Sequence, residues 1–168
     1  MKVAMTIFVT VGTTKFDKLI ETVMKDDILM ELNKRGYSRL ILQIGNTNLM
    51  PDCTPRCGFN HIEMFNLKPS INEYMKSADL IISHAGAGSC LEALEANKPL
   101  IVVTNDLLMD NHQSELAEQL HKDKHLLQCT CDTLLQVCKT MHLSQLEKFV
   151  DDKSPKIAKI IDDIMGFS

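Results

Sequence analysis

Along the chain, short runs of β-branched and apolar residues alternate with longer stretches in which apolar positions recur every three or four residues. Val3 to Val11, Arg39 to Ile44, Leu80 to Ser83 and Leu100 to Thr104 read as strands, and the last two are almost continuously apolar, as strands covered on both faces are. Helical patterns fall between them near residues 15–35, 70–77, 88–97 and 112–123. Strand, helix, strand at this spacing predicts an α/β fold, a Rossmann-like parallel sheet with helices on both faces. Ligands of such a sheet bind outside the carboxyl ends of the strands. The loops that matter are therefore those after Val11, Ile44, Ser83 and Thr104.

Two stretches stand outside this rhythm. Residues 45–60 carry two prolines and little periodicity, and read as a surface loop or a contact to a partner. Near the end, Ser154-Pro155 is a helix-start signal, and Ile157, Ile160, Ile161 and Ile164 make an apolar stripe before Gly166. The division that follows is a Rossmann-like domain over residues 1–142 and a helical tail over 143–168, which docks on the domain or on a partner.

Composition narrows the class. A chain of 168 residues, 45% hydrophobic and 24% charged, is one globular domain able to build its own core. The formal charge of -4, with acidic pairs at Asp26-Asp27, Asp151-Asp152 and Asp162-Asp163, argues against a nucleic-acid binder, which needs a clustered basic surface. No apolar run approaches the roughly 18 residues that span a bilayer, and the apolar start at Lys2 to Val11 reads as a buried first strand rather than a signal peptide. The six cysteines include no C-x-x-C; Cys53, Cys57, Cys129 and Cys131 could be written as a zinc site, but reduced structural thiols in a reducing compartment are the better reading.

The strongest chemical signal is Ser83-His84-Ala85-Gly86-Ala87-Gly88-Ser89, followed by Cys90-Leu91-Glu92. Between a buried strand and a helix, small residues let backbone approach a ligand, and the free N–H groups of the first helical turn attract anionic oxygen. This is a phosphate or diphosphate cradle, or a tight turn capped by Ser89. It is not a P-loop, since no Gly-Lys-Ser/Thr follows. The dinucleotide fingerprint begins with Gly86-x-Gly88 but has Leu91 at its third glycine; with Asp106 about 20 residues on, a nicotinamide-binding oxidoreductase stays open. Ser89 lacks the flanking glycines of a nucleophile elbow.

Glu92, one turn into that helix, suits the vicinal hydroxyls of a ribose, or is a solvated helix glutamate. Asn111, His112 and Gln113, opening the next helix, suit sugar hydroxyls, with Asn111 equally readable as a helix cap. Gly12, Thr13 and Thr14 add N–H groups and hydroxyls after the first strand. Diphosphate, ribose and sugar together describe a nucleotide sugar, with His84 a possible diphosphate donor.

The segments Phe8-Val9-Thr10-Val11-Gly12-Thr13-Thr14, Leu40-Ile41-Leu42-Gln43-Ile44-Gly45, Ala78 to Glu92 and Asn111-His112-Gln113-x-Glu115-Leu116-Ala117 resemble the soluble subunit of the eukaryotic UDP-N-acetylglucosamine transferase that makes chitobiosyl-diphospho-dolichol in asparagine-linked glycosylation. They are more distantly similar to the C-terminal donor domain of the bacterial MurG glycosyltransferase. The resemblance covers roughly residues 3–140. It implies the donor-binding half of a GT-B glycosyltransferase, whose membrane-anchored partner subunit supplies the other Rossmann-like domain, the lipid acceptor site and attachment to the cytosolic face of the endoplasmic reticulum. It also implies inverting transfer from UDP-N-acetylglucosamine, with Glu92 on the ribose, Gly86 to Ser89 on the diphosphate and His112 and Gln113 at the N-acetylglucosamine. The general base is expected on the partner. No cofactor or metal is expected, and the chain has no Asp-x-Asp. A non-catalytic interaction domain of the same fold is the remaining alternative.

Overall fold

β-Branched side chains pack best on a pleated surface covered on both faces, and the crowded apolar runs form strands accordingly. The computed structural model describes residues 4–105, 111–149 and 159. Among these residues are six strands: β1 (Met5–Thr10), β2 (Tyr37–Gln43), β3 (His61–Phe65), β4 (Leu80–His84), β5 (Leu100–Thr104) and β6 (Leu127–Thr130). All neighbours pair in parallel, in the order β3-β2-β1-β4-β5-β6. The chain winds outward from β1 in one direction, returns to β4, and winds outward in the other. The order thus reverses between β1 and β4, where their carboxyl ends part to leave a crevice.

Alternate residues of each strand serve opposite faces. Ile7 and Val9 of β1, with Leu40, Leu42 and Ile82, meet helices α1 (Asp17–Val23), α2 (Asp26–Lys34) and α6 (Leu134–Thr140) through Leu19, Ile20, Leu29, Leu32 and Leu134. Phe8, Ile41, Ile81 and Val102 meet α3 (Asn72–Ser77), α4 (Ala87–Glu95) and α5 (Asn111–Lys122) through Met75, Cys90, Ala93, Leu116 and Leu120. Cys90, Cys129 and Cys138 are packing residues whose thiols burial pushes up to about 12, and all six cysteines are free thiols.

The helical pattern of residues 15–35 resolves into two helices. Lys25 turns extended (φ -68, ψ 143), and Asp26 and Asp27 open a new first turn, where acidic side chains favour the positive end of the helix dipole. The strand β3 emerges where no strand was predicted, and β6 takes up the strand-like run at Cys129-Thr130; both lie at sheet edges. Residues 45–60 are a loop with one antiparallel bridge, Arg56 to Phe59.

After α6 the chain returns across the amino-terminal edge of the sheet. The Glu147 amide donates to the Lys124 carbonyl, and the Phe149 ring meets His125 edge-on at 5.4 Å. The stripe of Ile157, Ile160, Ile161 and Ile164, and with it Ser154, Pro155 and Gly166, lies outside the described residues, as do Asp106 and Asp110. Among the described residues no helix is long and apolar enough to cross a membrane.

Candidate functional site

The crevice at the order reversal is bounded by three strand-end loops and one helix. It has a volume of about 600 Å³ and is lined by Gly12, Thr13 and Thr14 after β1, Gln43 at the end of β2, Lys68 to Ile71 after β3, and His84, Gly86 to Ser89 and Glu92 from β4 and α4.

The loops after β1 and β2 brace one another before any ligand arrives. Gly12 (φ +64) and Gly45 (φ +78) take left-handed backbone that a side chain disfavours. A Cβ on Gly45 would stand 2.0 Å from the Thr14 carbonyl oxygen. The Asn46 amide donates to that same carbonyl (3.0 Å), and the Asn66 side-chain amide donates to the carbonyls of Gly45 and Thr47 (3.0 Å each). Beneath them the buried Thr10 hydroxyl donates to Gln43 Oε1 and accepts from the Gly12 amide at 3.0 Å. A polar post under the floor ties β1 to β2 and aims the Gly12 turn.

The helix beginning at Ala87 has no side-chain cap. Its N-cap is Gly86, so Ser89, read from the sequence as a cap, is instead the third helical residue, and its hydroxyl lies 3.4 Å from His84 Nε2. The first amides of α4, which have no intrahelical acceptor, therefore open into the crevice with the positive end of the helix dipole behind them. Of the two glycines, Gly86 lies against the His84 ring, where a Cβ would come within 2.3 Å, whereas nothing comes within 4 Å of a Cβ on Gly88. Gly86 makes room for the histidine; Gly88 leaves room for a ligand.

Burial alone pushes the His84 imidazole down to about 4, so at neutral pH it is an uncharged ring with one N–H to donate. Unfolded, it returns to about 6.5. The unfolded chain therefore takes up a proton between those values that the folded chain refuses; the stability from this group is full above pH 6.5 and is lost as pH falls through about 4. The loss amounts to roughly 3 kcal/mol. His84→Gln is expected to flatten the dependence of the urea midpoint on pH between 7 and 4 relative to wild type. An unchanged slope would show that His84 titrates normally.

Most of the residues anticipated from the sequence come together here: Gly12, Thr13, Thr14, His84, Gly86, Ala87, Gly88, Ser89 and Glu92 all line the one crevice. Ala85 does not, being buried in the core with α4. Asn111, His112 and Gln113 open α5, which follows β5 at the same sheet edge; their side chains lie outside the described residues. Gln43, Lys68, Pro69, Ser70 and Ile71 are lining residues that the sequence reading passed over. The signal for the last four was the Leu67-Lys68-Pro69-Ser70 turn, legible only with β3 recognised before it.

The family described as glycosyltransferase family 28 C-terminal domain matches residues 6–164. The UDP-N-acetylglucosamine transferase subunit ALG13 of Homo sapiens is 53% identical over 128 residues, covering 76% of this chain and 11% of the human protein. The protein of the same name from Yarrowia lipolytica is 35% identical over 164 residues, covering 94% of this chain and 83% of that one. The chain thus spans about a tenth of the length of its human relative and most of the yeast one. Among solved structures, the solution structure of ALG13 superposes with a TM-score of 0.65 at 27% identity, covering 95% of this chain and 94% of that one. MurG from Acinetobacter baumannii gives a TM-score of 0.60 at 18% identity, covering 83% of this chain and 40% of that one, a likeness of fold.

Proposed function

The chain belongs to the glycosyltransferase family 28 C-terminal domain family, and from that premise we propose that it is the donor-binding half of a transferase that moves N-acetylglucosamine from UDP-N-acetylglucosamine to the 4-hydroxyl of a dolichol-diphosphate-linked N-acetylglucosamine, with inversion. The observation that carries this reading is the uncapped start of α4, open to a crevice that Glu92 of the same helix also lines. The diphosphate lies over the first turn, between Gly88 and the Gly12 to Thr14 loop. The ribose lies one turn further along, where Glu92 accepts from its two hydroxyls, and the sugar extends toward the start of α5, where Asn111, His112 and Gln113 meet its hydroxyls.

Charge then accounts for the chemistry. As UDP leaves, fixed amides and a helix dipole stabilise the anion with no reorganisation at the moment of reaction. Glu92 serves the ribose and His84 is an uncharged donor; the resemblance to two-domain glycosyltransferases supports placing the base that deprotonates the acceptor on a second, membrane-anchored subunit. That subunit also holds the lipid acceptor and brings the chain to the cytosolic face of the endoplasmic reticulum. The tail over 143–168, with its isoleucine stripe, is part of the surface that meets it. Holding donor and acceptor on two halves turns an encounter into an oriented step.

The test has two parts. Thermal shift with UDP, UDP-N-acetylglucosamine and NADH is expected to respond to the first two alone; a response to NADH would favour the oxidoreductase. Transfer of labelled N-acetylglucosamine to the lipid acceptor is expected from the chain mixed with membranes carrying the partner, and from neither component alone. Preserved partner binding without any nucleotide response would leave a non-catalytic domain.

A further inference from the structure

We propose that Lys68 is a cationic arm, held on an aromatic platform in the free protein, that turns onto the diphosphate of the bound donor and neutralises the charge on departing UDP. The inference rests on the donor-site reading of the crevice. Among the described lining residues Lys68 alone carries a positive charge at neutral pH, since Glu92 is an acid and burial keeps His84 neutral. A diphosphate brings about two or three negative charges, and open amides supply only partial ones. The described lining thus has one full cation to offer the group most in need of one.

The placement of that cation is built rather than incidental. Its Nζ stands 4.8 Å from the centre of the Phe65 ring and 5.0 Å from that of Tyr74, and it donates to the Tyr74 hydroxyl. Phe65 and Tyr74 meet at 4.9 Å, and both stack on Phe8, at 6.5 and 5.5 Å, which is wholly buried in β1. The platform is therefore anchored in the core, while Lys68, a lining residue of the crevice, holds its ammonium there on a flexible four-carbon stem. A cation over a ring at an exposed site is weakly held, whereas a charge-assisted bond to phosphate is among the stronger polar contacts. Donor binding gives the arm a better partner than the one it leaves.

In the transfer, the acceptor oxygen bonds to C1 of the sugar as the bond from C1 to the β-phosphate oxygen breaks. The bonding pair departs on that oxygen, adding a negative charge to UDP, and the acceptor proton passes to the general base of the partner half. Lys68 takes no proton and forms no bond; it balances the new charge, and so contributes more to the transition state than to the bound donor.

The test compares wild type, Lys68→Met and Lys68→Arg by calorimetric titration with uridine, UMP and UDP at low and raised salt. Lys68→Met is expected to weaken UDP about tenfold or more, the size of a charge-assisted hydrogen bond, to leave uridine unchanged, and to make UDP binding less sensitive to salt; Lys68→Arg should retain most of the affinity. The chain has two tyrosines and no tryptophan, so in a Tyr37→Phe background emission reports Tyr74 alone. UDP should change that emission in the presence of Lys68, and not in Lys68→Met. Equal weakening of uridine and UDP would assign Lys68 to the nucleoside, and unchanged UDP binding would make it a bystander; either result overturns the proposal while the donor site stands. Wild type that binds neither UDP nor uridine would overturn both.

Discussion

A Gly88→Val chain is expected to lose UDP affinity by roughly a hundredfold or more while melting close to wild type. The first half follows from the amides of α4: a branched side chain on the first turn fills the space a phosphate must enter, so the donors there go unused. Two charge-assisted hydrogen bonds at about 1.5–3 kcal/mol each cover a loss of that size. The second half follows from open space. No atom lies within 4 Å of a Cβ at Gly88, and its backbone is helical with no positive φ, so the folded chain accepts the side chain. Gly86→Val makes the instructive contrast, since its Cβ would fall 2.3 Å from the His84 ring, and loss of binding there would be mixed with a displaced histidine. Calorimetric titration with UDP, beside a thermal melt by circular dichroism, separates the two. A folded Gly88→Val that binds UDP like wild type would put the diphosphate elsewhere.

Glu92→Ala is expected to lower kcat/KM for UDP-N-acetylglucosamine by about ten- to a hundredfold, the equivalent of losing hydrogen bonds to a charged acceptor. Glu92 is half-buried on the crevice side of α4, one turn beyond the open amides, far enough from the diphosphate to avoid repelling it. The specific check is a donor built on 2′-deoxyribose. If Glu92 holds the ribose hydroxyls, that donor should already be poor with wild type and lose much less on mutation, the non-additivity expected of partners in contact. Equal losses for both donors would mean that Glu92 acts through the fold of α4.

What could be read without coordinates was the part in which local and global demands coincide. Gly12 after a β-branched run, and Gly86 with Gly88 before a helix, mark backbone that must bend or approach closely, and both marks fall at the carboxyl ends of the strands on either side of the order reversal. Hidden was whatever depends on an edge strand. The stretch His61-Ile62-Glu63-Met64-Phe65 mixes a polar pair, His61 hydrogen-bonded to Glu63 at 2.8 Å, with apolar residues on one half-covered strand, and gives no clean alternation. Without β3 on the sheet, Lys68 to Ile71 cannot be brought to the crevice. The division of labour between the two glycines was equally invisible, because it turns on the rotamer of His84. The break at Lys25 was obscured by apolar residues that continue on the same face through α1 and α2, both of which pack on one side of the sheet.

The pinning of residues 147–149 against Lys124 and His125 has a consequence for chain architecture. Those contacts lie beside Asn97, Lys98 and Pro99, where α4 hands over to the amino end of β5, while the crevice lined by Gly12, Gly88 and Glu92 opens at the opposite end of the strands. The two are separated by the length of a five-residue strand, about 17 Å. A label placed at Lys148 therefore stands on the far side of the fold and leaves the mouth of the crevice accessible. Immobilisation for binding measurements follows the same logic: a surface tether through Lys148 presents the crevice to solution, whereas one attached through the loop after β1 would block it.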